Sequence, residues 1–352
     1  TRVRSSAASD VYKRQAVGAP AVAVTTANPI PWYAWYVTAT LRTTMATEAS
    51  RAPAEQPAGS LFPTDHELDS ILVGPDSITW RITSDARLYA VMLYPLLLQV
   101  AHPTVGAGVH DYSDFESRPW DRLLRTIDYV SLLVYGGREA VPVGRRLRAL
   151  HKGFTGVRED GQRYYALEPE AYAWVHATLL DTYVKGHNTF GTPLSPFQVE
   201  TLYREYRGLG RLIGVRERDL PATWAEFRAY FDDMLNTGLK RTASVDRVLS
   251  SVKHAPPPPL PVPDLLWRAA RLPASQALWL GGIGLLGPEL RGRLGIPWSR
   301  GEQMQFRAMA AISRGLSPVL PERLKVMGPV QLRWRRRAIA KGPLGPGDQL
   351  AA

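Results

Sequence analysis

His151 lies in the segment "RLRALHKGFTG" (146–156), where residue types and spacing suit iron chemistry. At helical periodicity Leu147, Leu150 and Phe154 form an apolar stripe, and Arg145, Arg148 and Lys152 form a basic one. His151 sits on their boundary. A haem site requires an imidazole for the iron, an apolar slot for the flat ring and guanidinium groups for the ring's carboxylates. Gly153 would let a flat ring approach the helix. Taken alone, the helix favours a plainer reading, a core-edge histidine satisfied by a backbone carbonyl.

Three other segments carry groups able to do chemistry. In "DRLLRTIDYV", Arg122, Arg125, Thr126 and Tyr129 recur at i, i+3, i+4 and i+7, so two cations, a hydroxyl and a phenol share one helix face. The opposing face carries Leu123, Leu124, Ile127 and Val130. Without a pocket to face, the polar stripe reads as a solvent surface. In "LQVAHPTVGAGVH", His102 ends an apolar helix, and Gly106, Ala107 and Gly108 permit close backbone approach. A histidine there is either a pocket residue or a helix-end cap. In "AYAWVHATLLDTYVKGH", His176 and His187 are eleven residues apart and share a face, with Trp174, Thr178 and Asp181 on a neighbouring one. An aromatic stripe of this kind is more often core than cofactor box.

The elements that must position these groups are helices. Glycine and proline, 29 each, punctuate segments whose interiors repeat near 3.6 residues rather than 2. Helices are expected over 87–101, capped by Ser84 or Asp85 and kinked at Pro95, and from Pro103 to near His110. Further helices are expected over 120–135, 143–155, 169–187, 195–212 and 223–239. The run "HAPPPPLPVP" reads as a stiff polyproline spacer, after which the helical pattern resumes at Asp264. The expected organisation is a non-native or disordered segment over 1–30, a helical core over 31–253 and a spacer over 254–263. A helical extension packing on that core follows over 264–340, then a disordered tail over 341–352.

Composition narrows the chemistry. The 352 residues are 45% hydrophobic and 21% charged, a globular balance, and no stretch approaches the run of about 20 apolar residues that spans a bilayer. There is no cysteine, so disulfides, zinc–thiolate sites and iron–sulfur clusters are excluded, and a metal must be held by histidine, carboxylate or a cofactor. HExxH, GxSxG, Walker A and ExxH patterns are missing, and no GxGxxG follows a strand. The net charge is +11, yet only "RWRRR" (333–337) combines a basic cluster with an aromatic residue, and no nucleic-acid-binding signature accompanies it. No specific nucleic-acid partner is expected; the basic stretch 323–341 suits an anionic lipid surface instead. A cytoplasmic or peripheral membrane location is the expectation. The sequence leaves the oligomeric state open.

The order of these pieces resembles the family of MpaB-type oxygenases and rubber oxygenases (latex clearing proteins). The matching segments are "LQVAHP", "SDFESRPWDRLLRT", "RLRALHKGFTG", "YYALEPEAYAWVHATLLDTY", "IGVRERDLPATWAEFRAYFDDML" and "LLGPELRGRLGIPWS", spread between Asp85 and Leu324. The resemblance implies an all-α, globin-like multi-helix bundle with a C-terminal helical extension, holding haem b. It implies His151 as the iron ligand, in the pattern Arg148-Ala149-Leu150-His151. The family's distal Arg-x-x-Lys-Thr falls on Arg122, Arg125 and Thr126. Lysine is replaced by Arg125, which stays protonated and is a poor iron ligand, so a lysine-ligated closed state is not expected. Arg122 and Arg148, with His176, are expected around the cofactor; Arg125, Thr126 and His102 are expected to act on dioxygen or substrate. The implied partners are dioxygen and a small apolar substrate, an isoprenoid or other alkene. Two other classes are compatible with the residues: a cofactor-free helical binding or membrane-associated module, and a non-haem iron enzyme using several histidines with carboxylates.

Overall fold

Helix boundaries follow side-chain chemistry throughout the computed structural model, which describes residues 61–113, 115–117, 119–253, 264–321 and 325–327. The side chains of some helical positions, Arg125 among them, are outside the described part. The segments 1–30, 254–263 and 341–352, and with them the expected spacer and both expected terminal tails, also lie outside the described residues.

The chain is mostly helical. The first helices are α1 (Asp65–Ile71) and α2 (Ile78–Thr83), followed by a 3₁₀ turn (Ala86–Val91), α3 (Leu93–Ala101) and α4 (Pro103–Tyr112). Next come α5 (Pro119–Tyr135), α6 (Ala140–His151) and a small hairpin of β1 (Thr155–Val157) and β2 (Arg163–Tyr165). Helices α7 (Pro169–Phe190), α8 (Pro196–Leu212), α9 (Trp224–Asp233) and α10 (Ala243–Lys253) follow. Beyond the proline-rich run come α11 (Asp264–Leu285), α12 (Pro288–Arg293) and α13 (Arg300–Leu316).

Capping explains many of the starts. Ser195, Thr223 and Ser299 each accept from the backbone N–H three residues on, and Gln198, Glu226 and Glu302 bond back to the cap. Pro103, Pro169, Pro196 and Pro288 open their helices, where a missing N–H costs nothing.

Three expectations are corrected. The helix expected over 87–101 is two pieces, and Pro95 does not kink it. Pro95 sits in the first turn of α3, where it forfeits no internal hydrogen bond, so the break falls upstream at Met92 between the 3₁₀ turn and α3. The helix expected to reach residue 155 stops at His151, and Phe154 leads into the antiparallel hairpin, with Thr155 opposite Tyr165 and Val157 opposite Arg163. The helix expected to reach 239 ends at Asp233 and passes into a π turn, Met234–Gly238.

Helix α7 runs through the core, flanked by the 3₁₀ turn, α3, α8 and α13. Trp174 and Thr178 on α7 have no exposed surface, and Trp174 donates its indole N–H to the Leu98 carbonyl at 2.9 Å. The segment after the proline-rich run joins the same core: α11 packs on α3 and the 3₁₀ turn, and Ile283, Leu285 and Leu286 are buried in the main cluster.

The described residues 325–327 are also tied in. Met327 donates its N–H to the Ser84 carbonyl at 2.8 Å, and Arg87 donates to Ser317 Oγ at 2.8 Å and to the Phe190 carbonyl at 3.0 Å. Asp85 anchors this junction. Burial pushes its carboxyl up, but bonds from His187 and Arg87 outweigh that and hold it at about 2.

Two glycines set the helix spacing around the site. A Cβ on Gly106 would collide with the Val100 carbonyl, and one on Gly144 with the Leu212 carbonyl. The first lets α4 fold back against the end of α3; the second brings α6 onto the end of α8. No helix among the described residues is long and apolar enough to cross a membrane.

Candidate active site

A cavity of about 290 Å³ opens among α3, α4, α5, α6, α7 and α8, close to the lower end of the range for ligand pockets, roughly 300–1,000 Å³. Its walls are mainly aliphatic and aromatic, and the polar groups on them are few.

Helix α6 delivers its apolar stripe to this space. Leu147, Leu150 and His151 line it, as residues at i, i+3 and i+4 must when one face is turned inward, and Phe154, past the helix end, lines it as well. The His151 Nδ1–H donates to the Leu147 carbonyl, one turn back, at 2.7 Å. That bond selects the tautomer and leaves Nε2 with the lone pair. The ring is held by Phe154, 5.2 Å between centroids, and by Tyr172, edge-on at 5.9 Å. Burial lowers the pKa of His151, and the cations Arg122 and Arg148 lower it further, so the ring is neutral at pH 7. A neutral imidazole with a fixed Nδ1–H and a lone pair on Nε2 is the form that binds a metal.

Helix α5 supplies the polar part of the wall. Arg122, Thr126 and Tyr129 line the cavity together with Val130 and Leu133. The stripe therefore faces a pocket, where the sequence alone favoured solvent. Thr126 donates its hydroxyl to the Arg122 carbonyl at 2.9 Å, and the Arg122 guanidinium donates to the Thr126 oxygen at 2.6 Å. Arg125 belongs to the same helix, but its side chain lies outside the described residues.

His176 lines the cavity from α7, but it is engaged. Its Nε2–H donates to the Tyr206 carbonyl at 2.9 Å, and its ring stacks on that of Tyr206 at 4.3 Å. Complete burial depresses its pKa to about 4.

His102 and Arg148 are not among the lining residues. His102, 5% exposed at the junction of α3 and α4, turns Nε2 toward Glu170 at 3.4 Å. Burial lowers its pKa against the pull of Glu170. Thr104, two residues on, is the group that reaches the cavity, and its hydroxyl donates to Glu168 at 3.2 Å. Arg148 lies behind the wall, donating to the Gly214 carbonyl at 3.1 Å with its guanidinium 5.2 Å from the Tyr172 ring centre. Gly153 is exposed, borders open space and is not among the residues lining the cavity.

Sequence reasoning missed Tyr172, whose hydroxyl donates to the Ile213 carbonyl at 3.0 Å and whose ring borders His151. A signal existed: Tyr172, Val175, His176 and Leu179 form one helical face, and all four line the cavity. Tyr112 and Gln99 were missed as well, and only tertiary packing brings them in.

A profile of the family described as "ER-bound oxygenase mpaB/B'/Rubber oxygenase, catalytic domain" matches residues 80–315. An uncharacterized protein of Mycobacterium bovis, Mb2261, is 25% identical over 240 residues, covering 66% of this chain and 91% of the relative. An uncharacterized protein of Mycobacterium tuberculosis, Rv2237, matches to the same extent, 25% over 240 residues. No solved structure matches the chain.

Proposed function

From its membership of the family of ER-bound oxygenase mpaB/B' and rubber oxygenase catalytic domains, we propose that this chain is a haem b-dependent oxygenase acting with dioxygen on a small apolar substrate, an alkene or isoprenoid. The carrying observation is His151: Nδ1 bound to its own helix at 2.7 Å, and the ring on the wall of an apolar cavity shared with Arg122 and Thr126.

The donor set fits haem better than a bare iron. Among the described residues no three histidine or carboxylate groups come together to hold a metal. Iron bound through His151 would need its remaining ligands from elsewhere, and a porphyrin brings four of its own. Arg122, on the cavity wall, is a cation suited to a carboxylate of the ring.

When bound, haem supplies iron that activates dioxygen for insertion into an apolar double bond. The chain supplies the surroundings. His151 would hold the metal through Nε2, whose basicity the Leu147 carbonyl raises by drawing on Nδ1–H. The aliphatic wall from α5, α6 and α7 excludes water and accepts a hydrocarbon. Arg122, bonded to Thr126, presents a positioned cation to oxygen atoms of the reactants. Arg125 stands in the sequence where the family has lysine, and arginine stays protonated and does not compete for iron.

Purified protein produced with iron and haem precursor should show a Soret band that shifts with reduction and carbon monoxide. His151→Ala should lose the pigment, and Arg122→Ala should retain it more weakly. A colourless wild-type protein that also fails to take up added haemin would sink the proposal.

A further inference from the structure

The C-terminal helix pair carries an apolar face that nothing in the described structure covers. Leu265 and Leu272 on α11 are 79% and 68% exposed, and Met304 and Ile312 on α13 are 66% and 61% exposed. Leu316, at the end of α13, and Val319, in the turn after it, are also exposed. These side chains are not scattered. Gln276 donates to Gln305 at 3.1 Å and Trp279 to Glu302 at 2.8 Å, so α11 and α13 run antiparallel with those residues facing. Leu272 and Leu265 lie one and three turns from Gln276 on its own face, and Ile312 and Leu316 lie two and three turns from Gln305 on its face. Both rows therefore run from the same contact toward the same end of the pair.

The exposed charged side chains of α13 are all arginines. Arg300, Arg307 and Arg314 recur every seven residues, two helical turns apart, and form an exposed row. The row borders the stripe on one side, at Met304 (i+4 from Arg300, i−3 from Arg307), and is turned away from Ile312 and Leu316. None of the three forms an ion pair among the described residues. The sequence past Met327, outside the described residues, contains Arg333, Trp334, Arg335, Arg336, Arg337 and Lys341. An exposed apolar stripe edged by arginines, on a helix with no membrane-spanning stretch, is the pattern of a segment that lies in a lipid–water interface.

We infer that the α11–α13 face is a docking surface for an anionic lipid bilayer, with Leu265, Leu272, Met304, Ile312 and Leu316 entering the acyl boundary and the arginine row meeting the headgroups. The charge decides between occupants. A second copy of this chain would bring its own arginine row and a net +11 against the first, like charge on like. A nucleic acid would satisfy the arginines and leave the leucines in water. The inference does not depend on the reading of the cavity.

Vesicle flotation of the full chain tests it, with phosphatidylglycerol vesicles against phosphatidylcholine ones. The wild type should float with the anionic vesicles, less so as salt rises. Ile312→Ser/Leu316→Ser should weaken partition about tenfold or more. Arg307→Gln/Arg314→Gln should weaken it about fivefold per arginine. These side chains are exposed, so circular dichroism melts should match the wild type. Failure to float, or binding to anionic vesicles equal in wild type and both variants, would overturn the inference. So would light scattering that shows a wild-type dimer broken by the Ile312/Leu316 variant, or duplex DNA binding lost in the Arg307/Arg314 variant while vesicles are ignored.

Discussion

His151 and His176 wall one cavity from different helices, and each gives a ring N–H to a backbone carbonyl. They differ in which nitrogen is used and whose carbonyl receives it. His151 donates Nδ1–H to Leu147 in its own helix, so the ring end bearing Nε2 projects away from the backbone. His176 donates Nε2–H to Tyr206 on α8 and is stacked on the Tyr206 ring with 14° between planes, so its outer nitrogen ties two helices together. A histidine bonded at Nδ1 remains available to a ligand, and one bonded at Nε2 across a helix interface is a fastener. Residue type and burial do not separate the two cases; the bond does.

The largest expected contrast is in stability. His176→Ala leaves a void and an unpaired buried carbonyl, and should cost about 3 kcal/mol in denaturant unfolding. His151→Ala removes a bond within one helix beside an existing cavity, and should cost about 1 kcal/mol. Equal losses would erase the distinction.

Acid should reveal the same asymmetry. The folded pKa of His176 is about 4, below its unfolded value of roughly 6.5, so the unfolded chain takes up the proton first. Stability should then fall as pH drops from about 6.5 to 4, by up to about 3 kcal/mol from this group. His176→Gln should flatten that part of the stability–pH curve; a curve unchanged by the substitution would show that other groups carry it.

Gly210→Ala is a milder probe. The added Cβ would meet His176 Nε2 at 3.0 Å, so the fastener should loosen at a cost of about 1–2 kcal/mol with little effect on pigment binding. The smallest effect belongs to Tyr172→Phe, which deletes the bond to the Ile213 carbonyl behind His151. It should cost about 1 kcal/mol or less and shift the Soret position slightly; a spectrum identical to the wild type would mean that Tyr172 does not orient the His151 ring.

Much of this was legible in the chain because local rules fix local structure. The starts at Pro103, Pro169 and Pro196 follow from proline and capping chemistry, and the 147/150/151 stripe follows from helical periodicity. The polar face of α5 was not legible as a wall. Arg122, Thr126 and Tyr129 look alike whether they meet water or a cavity, and only the placement of α6 and α7 around the same cavity settles which. His102 misled for a similar reason. Its place at the end of an apolar helix gives burial correctly, but the turn into Pro103 directs the ring toward Glu170, and Thr104 meets the cavity instead. The bonds that distinguish His151 from His176 are a local one, readable as an i to i−4 contact, and one to a helix 30 residues away, which no spacing reveals.

One spectrum tests the central claim. Wild type, His151→Ala and His176→Gln would be purified side by side after expression with haem precursor, and their Soret absorbance compared per mole of protein. The account predicts a band in the wild type, a band of similar size in His176→Gln and none in His151→Ala. Pigment kept by His151→Ala and lost by His176→Gln would contradict it.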